Sequence, residues 1–135
     1  AAGIKLSAMV ILGLGGAALS REHALGTARV ISAVNPTMLS ALTLMLPAGT
    51  PLRAAADRGE FRPLSPLGLL QELKDIIEHI DVTAPCIFRS NHISNFLPLA
   101  GTLPRDKTRL LADIGEAMAL FRNETAPTYN DRGTF

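Results

Sequence analysis

Residues 9–16, Met9-Val10-Ile11-Leu12-Gly13-Leu14-Gly15-Gly16, set the architecture of this chain. A bulky aliphatic run ends in three glycines among four positions. The run is short, partly β-branched and without polar alternation, which reads as a strand buried on both faces of a parallel sheet. Glycine tolerates positive φ and carries no Cβ, so the backbone can turn sharply there and approach a neighbour closely. Ser20-Arg21-Glu22 then starts a helix, with Ser20 as N-cap and Glu22 near the positive end of the helix dipole. Strand, glycine turn, helix is the unit of α/β enzymes, whose sites lie at the carboxyl ends of the strands. A tight βα turn with no ligand is the other reading of the same glycines.

Downstream the pattern repeats. Ala24, Thr27, Ala28, Ile31 and Val34 recur at helical spacing, and Asn35-Pro36 stops the helix. Met38 to Leu46 reads as a second buried parallel strand, broken by Pro47-Ala48-Gly49-Thr50-Pro51 at the same end of the sheet as the glycine turn. A right-handed βαβ crossover from residue 9 to 46 follows. Arg53 to Arg58 suits a short helix, and Ser65-Pro66 supplies N-cap and first helical residue for the next one. There Leu69, Leu70, Leu73, Ile76, Ile77 and Ile80 form an apolar stripe, while Glu72, Lys74, Asp75 and Glu78 are expected to face water.

Ile87-Phe88 fits a short third strand, although Pro85 argues against a central position near its start. Residues 89–103 read as an irregular loop, and Pro104 opens the last helix, with Leu110, Leu111, Ile114, Ala117, Met118 and Phe121 on one face. One α/β domain over residues 1–121 and a tail of little structure over 122–135 are expected.

Composition narrows the class of function. The chain has 135 residues, 13 basic and 12 acidic, so its net charge is +1. No basic stripe points to nucleic acid. The single cysteine, Cys86, excludes an intrachain disulfide and any Cys-only metal or iron–sulfur site built by this chain alone, and a reducing, cytoplasmic setting is expected. Lys5 followed by Leu6 to Leu19 has the outline of a signal peptide, but glycines interrupt it and no cleavage site is evident. The run is also shorter than the roughly 20 apolar residues of a membrane span. The Ala-Ala-Gly start suggests a piece of something longer.

Several residue groups could carry chemistry. Gly13, Gly15 and Ala18 match the dinucleotide fingerprint G-x-G-x-x-G/A, but the helix signal comes too late and no acid stands near positions 36–42 to hold a ribose. Arg89, Ser90, Asn91, His92, Ser94 and Asn95 crowd polar groups just after a strand, which suits ligand binding. Such Asn and Ser side chains equally serve loop backbone groups. His23 and His79 read as structural, and Cys86 as a small buried hydrophobe. No histidine has a metal-ligand spacing.

Taken in order, these motifs resemble the C-terminal half of radical S-adenosylmethionine enzymes of the iron–sulfur oxidoreductase type. The resemblance spans residues 4–118. It is carried by Val10 to Gly16, His23 to Ala28, Pro47 to Leu52, Gly59-Glu60-Phe61, Arg89 to Asn95 and Gly101 to Lys107. It implies the last part of a partial (β/α) barrel of six parallel strands. The family's fifth strand bears a motif G-x-I-x-G-x-x-E; Ile11 and Gly13 match it, while Met9 and Gly16 replace its first Gly and its Glu. Ile11, Gly13 and Gly15 would then contact the adenine of S-adenosylmethionine, and Arg89, Asn91, His92 and Asn95 would touch substrate or cofactor. A side chain added at Gly13 is expected to block the adenine.

The family's C-x-x-x-C-x-x-C motif is absent, so no catalytic residue and no metal ligand is assigned here. The [4Fe–4S] cluster and S-adenosylmethionine would belong to the parent protein, with none expected in this fragment. The N-terminal half of the same protein is the implied partner. A homo-oligomer centred on Ile4 to Leu14 is expected from the exposed strand edge. The alternative is a non-catalytic α/β module that binds a nucleotide or a partner.

Overall fold

The computed structural model describes residues 5–90 and 99–123. Its elements are β1 (Ser7–Leu12), α1 (Ser20–Val34), β2 (Met38–Thr43), α2 (Pro51–Asp57), α3 (Pro66–His79), β3 (Cys86–Ser90), β4 (Leu99–Leu103) and α4 (Lys107–Asn123). The strands form one four-stranded sheet in the order β1-β2-β3-β4. β1, β2 and β3 run parallel, and β4 is antiparallel to β3. The chain is therefore α/β with a mostly parallel open sheet.

A single core joins one face of this sheet to α1, α3 and α4. Leu12, Leu39, Ala41, Phe88 and Leu103 meet Ala28 and Ile31 of α1, Leu73, Ile76 and Ile77 of α3, and Leu110 and Ile114 of α4. The apolar stripe of α3 behaves as its spacing predicts, and each fully buried aliphatic side chain there contributes about 1.5–3 kcal/mol. Ser65 caps α3 by accepting from the Gly68 N–H at 3.0 Å, and Thr50 caps α2 by accepting from the Arg53 N–H. Lys107 Nζ reaches the Ile80 carbonyl at 2.9 Å and fastens α4 to the end of α3.

Among the described residues no helix packs on the opposite face of the sheet. Along β1 burial alternates: Ala8, Val10 and Leu12 point toward the core, whereas Ser7, Met9 and Ile11 are exposed. The expected burial of this strand on both faces is therefore wrong. The register lays two rows across the bare face, Ser7-Met38-Ile87-Thr102 and Met9-Ser40-Arg89-Ala100, with Ile11 beside Leu42 above them.

Other expectations change as well. Ser20 is the first residue of α1 and not its cap; Leu19 takes the cap position without a side-chain bond. The second strand stops at Thr43. β3 lies inside the sheet, and Pro85 falls just before it, where no ladder bond is lost. Part of the predicted loop, Leu99–Leu103, is strand β4, and α4 begins at Lys107 after a turn at Pro104. Residues 124–135, expected as a tail, lie outside the described residues. Among the described residues no helix is long and apolar enough to cross a membrane.

Candidate functional site

The carboxyl ends of β1 and β2 lie side by side, since Leu12 pairs with Thr43. The glycine turn leaves the first of them. Gly13 and Gly16 have φ of 86° and 67°, values that L side chains adopt at a cost, and the Gly16 N–H closes the turn on the Gly13 carbonyl at 2.9 Å. Gly15 is required by packing: a Cβ there would lie 3.2 Å from the His23 Cβ and 3.1 Å from the Leu19 carbonyl.

A carboxylate supports this turn from beneath. Glu72, on α3, is fully buried, and its Oε2 accepts from the Gly13 N–H at 2.6 Å while Oε1 accepts from the Ser20 hydroxyl at 2.9 Å. Burial pushes the Glu72 carboxyl above its ordinary range, the two hydrogen bonds and the nearby His23 opposing that shift. Asp75 is also buried; it accepts from Gln71 Nε2 at 3.0 Å and pairs with Arg21 at 3.3 Å. The expectation that Glu72 and Asp75 face water is thus overturned. A sequence signal for Glu72 existed: it stands three residues after Leu69 and four before Ile76, on the face of the apolar stripe.

The predicted site residues fall into three groups. Ile11 is exposed on the bare face one strand-end residue before the turn, and its carbonyl accepts from His23 Nε2 at 3.0 Å. Gly13 is enclosed: its amide serves Glu72, its carbonyl serves Gly16, and an added Cβ would meet the Leu69 Cδ2 at 3.1 Å. A side chain at 13 would therefore run into the core instead of into ligand space. Arg89 is exposed on the bare face, in register with Ser40 and Ala100, and its Nη1 donates to the Phe88 carbonyl at 3.0 Å. Asn91, His92 and Asn95 lie outside the described residues.

The remaining titratable candidates serve the structure. His79 Nδ1 bonds the Asp75 carbonyl at 2.8 Å. Cys86 is fully buried, and burial pushes its thiol up, so it carries no nucleophilic thiolate near neutral pH. Among the described residues no group of three or more His, Cys, Asp or Glu is placed to hold a metal ion. Comparison with protein-family models, with curated proteins and with solved structures gives no match.

Proposed function

We propose that this chain is the C-terminal portion of a radical S-adenosylmethionine iron–sulfur oxidoreductase, contributing the last parallel strands of a partial (β/α) barrel. One observation carries the reading: the strands follow one another in chain order, with α1, α3 and α4 on one face only. A sheet wound in this single sense has a bare face that becomes the inside of a barrel when more βα units are added. A doubly wound dinucleotide fold would place helices on both faces and reverse its strand order.

In this reading the carboxyl ends of β1 and β2 border the reaction cleft. Ile11 offers an apolar surface for an adenine ring, and Gly13 and Gly15 let the chain turn tightly at the strand end beside it. Arg89 supplies a cation on the inner face for a polar or anionic group of substrate or cofactor; Asn91, His92 and Asn95, assigned to the same role by the resemblance, lie outside the described residues. The cluster and S-adenosylmethionine, when bound by the whole protein, supply a reductively generated carbon radical. This chain's residues would hold and orient the molecules and keep water from them. Cys86, the sole cysteine and buried, offers no ligand to a cluster, so this reading needs the ligands from outside these 135 residues.

The glycine turn speaks against a free-standing nucleotide-binding module. A phosphate needs unengaged amides, yet those of Gly13, Gly16 and Ala17 donate to Glu72, Gly13 and Arg62.

The test is the coding sequence upstream of Ala1, followed by anaerobic reconstitution of the complete protein with iron and sulfide. A three-cysteine motif and roughly four irons per chain are expected. An upstream region without that motif overturns the proposal.

A further inference from the structure

The two edges of the sheet are treated differently. On β4 three outward main-chain groups are engaged by the segment that follows. Arg109 Nη2 donates to the Ala100 carbonyl at 2.7 Å, the Asp106 N–H donates to the Thr102 carbonyl at 2.7 Å, and the Thr102 N–H donates to Asp106 Oδ2 at 2.8 Å. On β1 the Leu6 carbonyl accepts from Thr37 and the Leu12 carbonyl from Leu44, both on the β2 side. Main-chain groups along a strand alternate in direction, so those of Ser7, Met9 and Ile11 point away from the sheet.

Apolar surface gathers at the same edge. Among the described residues, five of the nine exposed large apolar side chains, Met9, Ile11, Leu14, Val30 and Val34, lie together here. A groove of about 700 Å³ runs between β1 and α1, with Glu22, Gly26 and Arg29 among its lining residues. Gly26 is a helix-interior glycine, which costs about 0.5–1 kcal/mol relative to Ala. Among the described residues nothing requires it, since a Cβ there would meet none of their atoms within 4 Å. A helix packed closely from outside would.

We propose that this edge is the contact of a symmetric homodimer, in which two β1 strands pair antiparallel about Met9. The occupant is a second copy because the edge is complementary to itself. A two-fold axis at Met9 sets Ser7 against the partner's Ile11 and Met9 against the partner's Met9, so all the outward N–H and C=O groups meet. The Ile11 carbonyl has a second lone pair beyond the one His23 uses.

Charge agrees with this axis. His23 marks the level of Ile11 on α1. Met9 lies roughly 7 Å further along β1, which corresponds to roughly four helical residues, near Thr27. Two α1 helices then run antiparallel with Gly26 at their approach, and Glu22 of each comes within side-chain reach of the partner's Arg29. A standard interface takes about 800 Å² from each partner, roughly a tenth of this chain's 7759 Å². The inference concerns the 135-residue chain alone and does not rest on the proposed function, under which the same β1 edge would instead take a preceding barrel strand.

The experiment is light scattering coupled to size exclusion on this chain at micromolar concentration. A dimer is expected; a monomer, or any assembly larger than two, overturns the proposal. Arg29→Glu and Glu22→Arg should each weaken dimerisation at least tenfold, and the double swap should restore it. Unchanged association in the single variants, or no recovery in the double, places the contact elsewhere and overturns it. Met9→Lys puts two ammonium groups at the axis and should give a monomer; since Met9 is 65% exposed, circular dichroism should remain that of the parent chain. A folded Met9→Lys variant that still dimerises, or dimer loss that follows only unfolding, sinks the idea.

Discussion

The Gly13 amide donates to Glu72 Oε2 at 2.6 Å, tying the end of β1 to the middle of α3 across 59 residues of sequence. With its other oxygen Glu72 takes the Ser20 hydroxyl, so one buried side chain fixes the exit of the strand and the entry of α1. Turn shape, and with it the border of the candidate cleft, depends on a residue that no ligand would touch.

Glu72→Ala should destabilise the fold by about 2–4 kcal/mol, because it leaves the Gly13 N–H buried without a partner and opens a cavity. Glu72→Gln can accept from Gly13 and donate to the Ser20 oxygen, and should stay within about 1 kcal/mol of the parent at acid pH. Urea denaturation of both variants measures the difference. Equal losses would mean that the carboxamide cannot reproduce the geometry.

The same carboxyl makes stability depend on pH. Its folded pKa lies above the ordinary 4.5, so the folded state holds the proton more tightly than the unfolded chain. The benefit is complete below about 4.5 and is lost as pH rises through the folded value. Relative to the parent, Glu72→Gln should therefore gain melting temperature between pH 4 and pH 7. A gap that stays constant with pH would show that burial is not what sets this titration.

Asp106 has the opposite sign. Arg105, followed by the Thr102 N–H, holds its carboxyl down at about 2 against an ordinary 3.8. Its contribution is present above pH 3.8 and is lost as pH falls toward 2. The deficit of Asp106→Asn against the parent chain should shrink on acidification through that window, as read from thermal melts. A deficit that is unaltered there would assign the effect to shape alone.

Gly16→Ala should cost more than an ordinary surface substitution. The residue has φ of 67°, and an added Cβ would lie 2.9 Å from the Arg62 carbonyl and 3.0 Å from the Phe61 ring. The left-handed conformation alone costs about 1–2 kcal/mol for an L side chain. At Gly59, also at positive φ but with open space around it, Ala should cost only that conformational part. Chemical denaturation of the pair separates crowding from backbone strain; equal effects would remove the crowding argument.

What the sequence made legible follows from how local each cause is. The α3 stripe and the Ser65-Pro66 start were readable because cap and periodicity act within a few residues. Glu72 shares the spacing of that stripe, but an acid near Lys74 and Glu78 reads as solvent-facing because the partner that makes its burial tolerable lies 59 residues away. β1 was misjudged on one face: Met9 and Ile11 are as apolar as Val10 and Leu12, and composition cannot say that a face lacks its cover. β4 escaped because Gly101 and the neighbouring prolines carry no strand preference; its partners on β3 and α4 make it a strand. Of the candidate site, Ile11 and Arg89 lie on the sheet, Gly13 and Gly15 lie in the turn after β1, and Asn91, His92 and Asn95 lie outside the described residues.

Under the proposed pairing of β1, the engaged edge at β4 sets the valence of the molecule. A sheet with two adhesive edges can polymerise without limit; a sheet with one can only pair and stop. Arg109 and Asp106 are thus chain terminators as much as structural anchors, since they occupy the Ala100 and Thr102 groups that a further strand would need. If β1 pairs two copies as proposed, removing them would open a second adhesive edge, and the expected product is a fibre.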